Sequence, residues 1–160
     1  MSDEKRLAII ATKGSLDWAY PPFILASTAA ALGYETQVFF TFYGLQLLRK
    51  KLDLRVTPLG NPGMPMPMGM EKWFPVLLTA LPGMEAMMTA MMKKKIKEKG
   101  VASIEELRDL CIEADVKLIA CQMTVDLFDF KPSDLIDGIE YGGAATFFEF
   151  AGDSDICLFI

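Results

Sequence analysis

Short apolar runs alternate with amphipathic stretches along this chain in an order that predicts strand, helix, strand, helix. Arg6 to Thr12, RLAIIAT, is an apolar run closed by the polar turn Lys13-Gly14-Ser15, which predicts a buried strand leading into a helix capped by Ser15 or Asp17. Pro21 and Pro22 predict an irregular start to that helix, and Gly33 predicts its end. Thr36 to Phe42, TQVFFTF, is β-branched and aromatic, hence a second strand, and a short helix follows from Tyr43-Gly44 to about Lys51. Strands and helices in this order pair in parallel through right-handed crossovers.

The pattern breaks at Asn61 to Met70, NPGMPMPMGM, whose proline and glycine density predicts a loop. Trp73 to Met92 then runs twenty residues with a single charge, Glu85, ahead of Lys93-Lys94-Lys95-Ile96-Lys97. The length would span a bilayer, but Pro75, the Pro82-Gly83 break and Glu85 favour two short apolar helices that cover the sheet or a subunit interface. A membrane-surface element anchored by the lysines is the alternative.

Beyond this insert, at about 61–100, Ser103-Ile104-Glu105-Glu106 matches a capping box that opens a helix to about Ala114, with Leu107, Leu110, Cys111 and Ala114 on its apolar face. Val116 to Cys121 is a nearly continuous apolar run, as expected of a strand covered on both faces. A helix capped by Ser133 and carrying Leu135 and Ile136, a short strand at Ile139 to Tyr141, a helix through Phe147 and Phe148 to Gly152, and a last buried strand, ICLFI, complete the chain. The expected fold is a single α/β domain over 1–160. It is a three-layer, doubly wound, mostly parallel sheet of about five strands, with helices on both faces and a methionine-rich helical insert.

Composition narrows the chemistry. With no histidine among 160 residues, Ser-His and Cys-His catalysis and the commonest zinc ligand are excluded. A net charge of −5 argues against a general nucleic-acid binder. Three cysteines, at 111, 121 and 157, fit neither a secreted disulfide framework nor a CxxC motif. With a polar, acidic N-terminus, that points to a reducing, cytoplasmic setting. KGS is not a Walker motif and GxGxxG is absent, so nothing supports nucleotide binding.

Cys121 stands where its apolar run gives way to polar residues, at the carboxyl end of a strand, where α/β sheets collect ligands and reactive groups. A cysteine is equally a small hydrophobe suited to a core. If Gln122, Met123 and Thr124 begin a helical turn, their amides favour the thiolate. Lys13, Gly14, Thr41 and Tyr43 should share that sheet edge; a lysine there could hold the thiolate, and the amides of Gly14 and Ser15 could bind an anion. Cys111 belongs to an inward helix stripe, and packing is the default for Cys157.

The runs LIACQMTVDLF, ATKGSLDWAYPPFILASTAAALGYETQVFFTFYGLQLLRKK and GIEYGGAATFFEFAGDSDICLFI resemble the DsrE/DsrF-like family of sulfur-relay proteins from Leu7 to Ile160. The strand-end cysteine and FFTFYGL are the specific part of that resemblance. It implies a sulfurtransferase that carries sulfane sulfur as a persulfide on Cys121 between donor and acceptor thiols, with no metal or organic cofactor. It also implies small sulfur-carrier or rhodanese-like proteins as donor and acceptor, and leaves Cys157 open as a second thiol. Homo-oligomerisation through the methionine-rich insert is expected. The competing readings are a non-catalytic scaffold subunit of a sulfur relay and a peripheral membrane protein using residues 73–97.

Overall fold

A computed structural model describes residues 4–58 and 76–160, and the chain divides into two compact units. The first comprises Met1–Gly14, Trp18–Asp53 and Ser103–Ile160; the second comprises Ser15–Asp17 and Leu54–Ala102. In chain order the principal elements are β1 (Arg6–Ala11), α1 (Leu16–Ala31), β2 (Glu35–Phe40), α2 (Met84–Glu98), α3 (Ile104–Glu113), β3 (Lys117–Cys121), α4 (Gln122–Leu127), β4 (Glu140–Gly142), α5 (Ala144–Ala151) and β5 (Ile156–Phe159).

The five strands of the first unit form one parallel sheet in the order β4-β3-β2-β1-β5. Consecutive strand residues point to opposite faces, so Phe39 and Phe40 of β2 mark the two sides. Phe23 of α1 packs its ring 5.7 Å from Phe40, and the Cys111 thiol of α3 donates to the Phe23 carbonyl at 3.6 Å, which puts α1 and α3 on one face. Phe147 of α5 lies 5.6 Å from Phe39 on the other. The expected doubly wound α/β sheet is therefore what forms, with its central strands β1, β2 and β3 almost wholly buried.

Three local expectations need correction. The last strand is not buried: β5 pairs only with β1, and Ile156, Cys157 and Phe159 are exposed. An edge strand and a central one are written with the same apolar residues, so ICLFI gave no sign of its place. On α3 the capping box forms as expected, Ser103 Oγ accepting from the Glu106 amide at 3.1 Å. The buried stripe, however, is Ile104, Leu107, Arg108 and Cys111, while Leu110 and Ala114 are exposed. Finally, Ser133 begins no long helix, and a single 3-10 turn spans Pro132–Asp134. The chain after it is held extended because Ile136 N donates to Leu48 O at 2.9 Å and Leu135 bridges Arg49.

In the second unit a 3-10 turn at Val76–Ala80 stops at Pro82-Gly83, where Gly83 takes φ 87°, and α2 starts afresh. The apolar run is thus broken where proline and glycine predict. Asp17 accepts from the Thr57 amide and hydroxyl at 3.0 and 2.7 Å, and Val56 N donates to Thr89 Oγ1 at 3.1 Å. Among the described residues no helix is long and apolar enough to cross a membrane. The predicted loop at 61–70, and Trp73 with it, lies outside the described residues.

Candidate functional site

β2 stops one residue earlier than β3. Phe40, the last residue of β2, pairs with Ala120, so Cys121 stands level with Thr41, where the neighbouring chain has already left the sheet. On its other side Cys121 pairs with Gly142. It belongs to the buried cluster that also holds Ala8, Phe39, Ile119 and Phe147, and it is only 4% exposed. Cys121 is also the residue from which α4 starts, so the amides of the first helical turn surround the sulfur.

These surroundings set the thiol's acidity. Burial by itself would raise it. The Thr124 hydroxyl and amide, then the Thr41 hydroxyl and the Met123 amide, outweigh burial, and the thiol is held below its ordinary value of 9.0. The Cys121 side chain makes no regular capping hydrogen bond, so these groups act as oriented donors that favour a negative sulfur. Thr124 is wholly buried, and its hydroxyl lies 3.3 Å from the Thr41 hydroxyl and accepts from the Phe42 amide at 3.1 Å. Each hydroxyl has one proton. With both turned to the sulfur, Thr124 Oγ1 keeps its acceptor role toward Phe42.

Phe42 reaches that position at φ 48°, a left-handed conformation that a bulky side chain adopts at a cost of about 1–3 kcal/mol. Close backbone packing holds the turn in place. A side chain at Gly44 would collide with the Ala11 carbonyl, and one at Gly14 with the Tyr43 carbonyl. From the far end of the same 3-10 segment, Phe42–Leu48, the Leu47 and Arg49 carbonyls accept from Nη1 of the buried Arg108 at 3.0 and 2.8 Å.

The predicted site residues are not all gathered. Thr41, Met123 and Thr124 surround the thiol; Gly14 and Tyr43 belong to the interlocked loops at the same edge. Gln122 is exposed and donates to Asp126 Oδ1 at 2.8 Å. The Lys13 ammonium sits 3.1 Å over the centre of the Trp18 ring and is not among the groups that lower the thiol's pKa. Cys157 pairs with Ala8, three strands over from β3 and level with Lys117. At about 4.8 Å per strand and 3.3 Å per residue, it is roughly 20 Å from Cys121. Direct exchange between these two thiols of one chain is out of reach.

Arg108, Phe128 and Phe130 were not singled out from sequence. The spacing 104, 107, 108, 111 does put an arginine in the buried stripe, and LFDF after the thiol helix is dense in aromatics. Among the described residues no group of three or more cysteine or carboxylate side chains is placed to hold a metal.

The chain is 80% identical over 158 residues, 99% of each sequence, to the sulfur carrier protein DsrE2 of Allochromatium vinosum. It is 32% identical over 162 residues to the uncharacterized protein YrkE of Bacillus subtilis, covering 98% of this chain and 97% of that one. The crystal structure of the ychN protein from E. coli matches with a TM-score of 0.56 at 11% identity, over 98% of this chain and 99% of that one, which is a likeness of fold. The DsrE/DsrF/DrsH-like family model matches residues 3–159. By that match and these identities, the chain belongs to the DsrE/DsrF/DrsH-like family.

Proposed function

We propose that this protein is a sulfur carrier whose working group is the Cys121 thiolate. The observation that carries the reading is the set of donors turned on one buried sulfur: two threonine hydroxyls and two amides, enough to reverse the effect of burial on its pKa. A carrier needs this. The thiolate attacks the outer sulfur of a donor persulfide R–S–SH; the new bond gives Cys121–S–SH, and R–S⁻ leaves with the electron pair of the broken bond. Delivery repeats the step with an acceptor thiolate, so no oxidant, metal or organic cofactor enters. The low exposure of the sulfur suits a persulfide, which water and stray thiols would otherwise discharge.

The name of the Allochromatium vinosum relative supports this reading, and protein donors and acceptors follow from it. A cytoplasmic, reducing location fits the chemistry. Exposed apolar groups on α5 and β5, with Phe148 69% and Phe159 75% exposed, support assembly with further copies of the chain.

Mass spectrometry after incubation with polysulfide tests the carrier role. The wild-type chain and Cys157→Ala should each gain one sulfur atom on Cys121, and Cys121→Ala should gain none in this strand-end peptide. Uptake confined to Cys157, with Cys121 unmodified, would transfer the role to the edge strand.

A further inference from the structure

The chemistry at the thiol uses the backbone and hydroxyl groups of its loops and leaves their aromatic rings unemployed. Phe42 and Phe128 meet edge to face at 6.4 Å, Tyr43 stacks on Phe128 at 6.0 Å with 22° between planes, and Phe130 meets Phe128 at 6.4 Å. Phe42, Tyr43 and Phe128 remain 45%, 64% and 40% exposed. Isolated exposed apolar residues are ordinary, but a contiguous group beside a reactive thiol marks a surface that something covers.

Three of these four rings open onto a cleft of about 310 Å³. Tyr43, Phe128 and Phe130 wall it, and Asp129 and Asp134 supply two negative charges. Among the described residues its cation is Arg49, whose guanidinium lies 5.7 Å over the Phe130 ring and whose Nη1 donates to Gln46 at 3.3 Å. Aromatic faces next to two carboxylates, on a chain of net charge −5, form a receptor for a cationic side chain.

We propose that this cleft docks the protein with which Cys121 exchanges sulfur, and that the partner carries its cysteine on a segment with a lysine or arginine close by. The inference rests on the sulfur-carrier reading and names the partner's chemistry. Distance favours a protein over a small persulfide: Phe128 is seven residues along from Cys121, about 10 Å at 1.5 Å per helical residue. About three residues of extended chain bridge that gap. The cation enters the cleft, the chain runs past the rings, and the cysteine arrives over the thiol. Charge complementarity of this kind acts chiefly on encounter rate and choice of partner.

Two peptides test it, acetyl-Arg-Gly-Gly-Cys-Gly-Gly-Arg-amide and acetyl-Glu-Gly-Gly-Cys-Gly-Gly-Glu-amide, with the charges three residues from the cysteine, each as its mixed disulfide with thionitrobenzoate. Attack by Cys121 forms a protein–peptide disulfide and releases the coloured thionitrobenzoate anion, a reaction that needs no persulfide. The full chain carries Cys157→Ser so that the exposed thiol of the edge strand does not respond. Capture of the arginine peptide should be about tenfold faster at low salt, with the ratio falling toward one in high salt and in Asp129→Asn/Asp134→Asn. Equal rates for the two peptides, or a ratio that survives the double substitution, overturn the proposal. So does a change of oligomer size on Phe128→Ala, which would give the surface to a second copy of the chain. Peptide discrimination by a chain that takes no sulfur from polysulfide would uphold the surface and overturn the carrier reading.

Discussion

Cys111 and Cys121 are almost equally closed to solvent, 0% and 4% exposed, yet the thiol of the more deeply packed Cys111 and that of Cys121 are driven in opposite directions. Burial pushes the Cys111 thiol up to about 11, opposed only by a backbone hydrogen bond from Ser27, while its own proton goes to the Phe23 carbonyl. Around Cys121 burial acts in the same sense but loses to four donors. Exposure alone therefore does not set a cysteine's acidity. The difference is between the inward stripe of a helix, whose backbone donors are spent within the helix, and a strand end, where a new helix starts and its first amides are free.

The two sites should consequently pull stability in opposite directions as pH rises, and this is the largest effect expected. Between the unfolded value of 9.0 and the folded value of about 11, the unfolded chain releases the Cys111 proton while the folded chain keeps it. Stability from this group is complete below pH 9 and is lost as pH rises through that window, by about 3 kcal/mol in all. Cys121, with a depressed folded value, does the reverse. Its contribution is complete above pH 9 and is lost as pH falls through the folded pKa. Urea unfolding of Cys111→Ala should show a flatter alkaline decline than wild type, and that of Cys121→Ala a steeper one below pH 9. Identical pH slopes in the two variants would erase the contrast.

A smaller effect isolates what reverses Cys121. Thr124→Val removes the leading hydroxyl and leaves burial to act against fewer opponents, so the thiol's pKa should move up and alkylation near neutrality should slow, by roughly tenfold. Iodoacetamide labelling followed across pH would show its midpoint displaced to higher pH, and Thr124→Ser should restore it. The valine variant also orphans the Phe42 amide, at a cost of about 1–3 kcal/mol. A midpoint that stays in place would assign the acidity to the helix amides and the Thr41 hydroxyl.

Part of this contrast could be read before folding. The change from LIA to QMT at Cys121 marks a strand end, and Thr124, three residues on, falls where the first helical turn points back at the sulfur. Cys111, at seven residues from Ile104, lies on the buried stripe by spacing. Other features depend on which strands lie side by side, which periodicity does not encode. Thr41 meets the thiol only because β2 lies beside β3 and ends one residue sooner. Cys157 is exposed because its strand falls at the edge, and Lys13 turns to the Trp18 ring instead of the thiol. Phe42 was the least legible, since a bulky residue at positive φ contradicts local preference and persists only where tertiary packing imposes it.

Thr41 supplies the weakest of the expected effects and the finest division of the site. Its hydroxyl follows both Thr124 groups in its influence on Cys121, and it lies within 3.3 Å of the Thr124 hydroxyl. Thr41→Val keeps the shape and removes one donor, so the labelling midpoint should rise by less than in Thr124→Val, with alkylation near neutrality slowed about two- to threefold. The double variant Thr41→Val/Thr124→Val then decides how the two hydroxyls work. If each donates to the sulfur on its own, the shifts add. If Thr41 acts by donating to Thr124 and so polarising it, removing Thr124 makes the Thr41 change silent, and the double variant titrates like Thr124→Val alone.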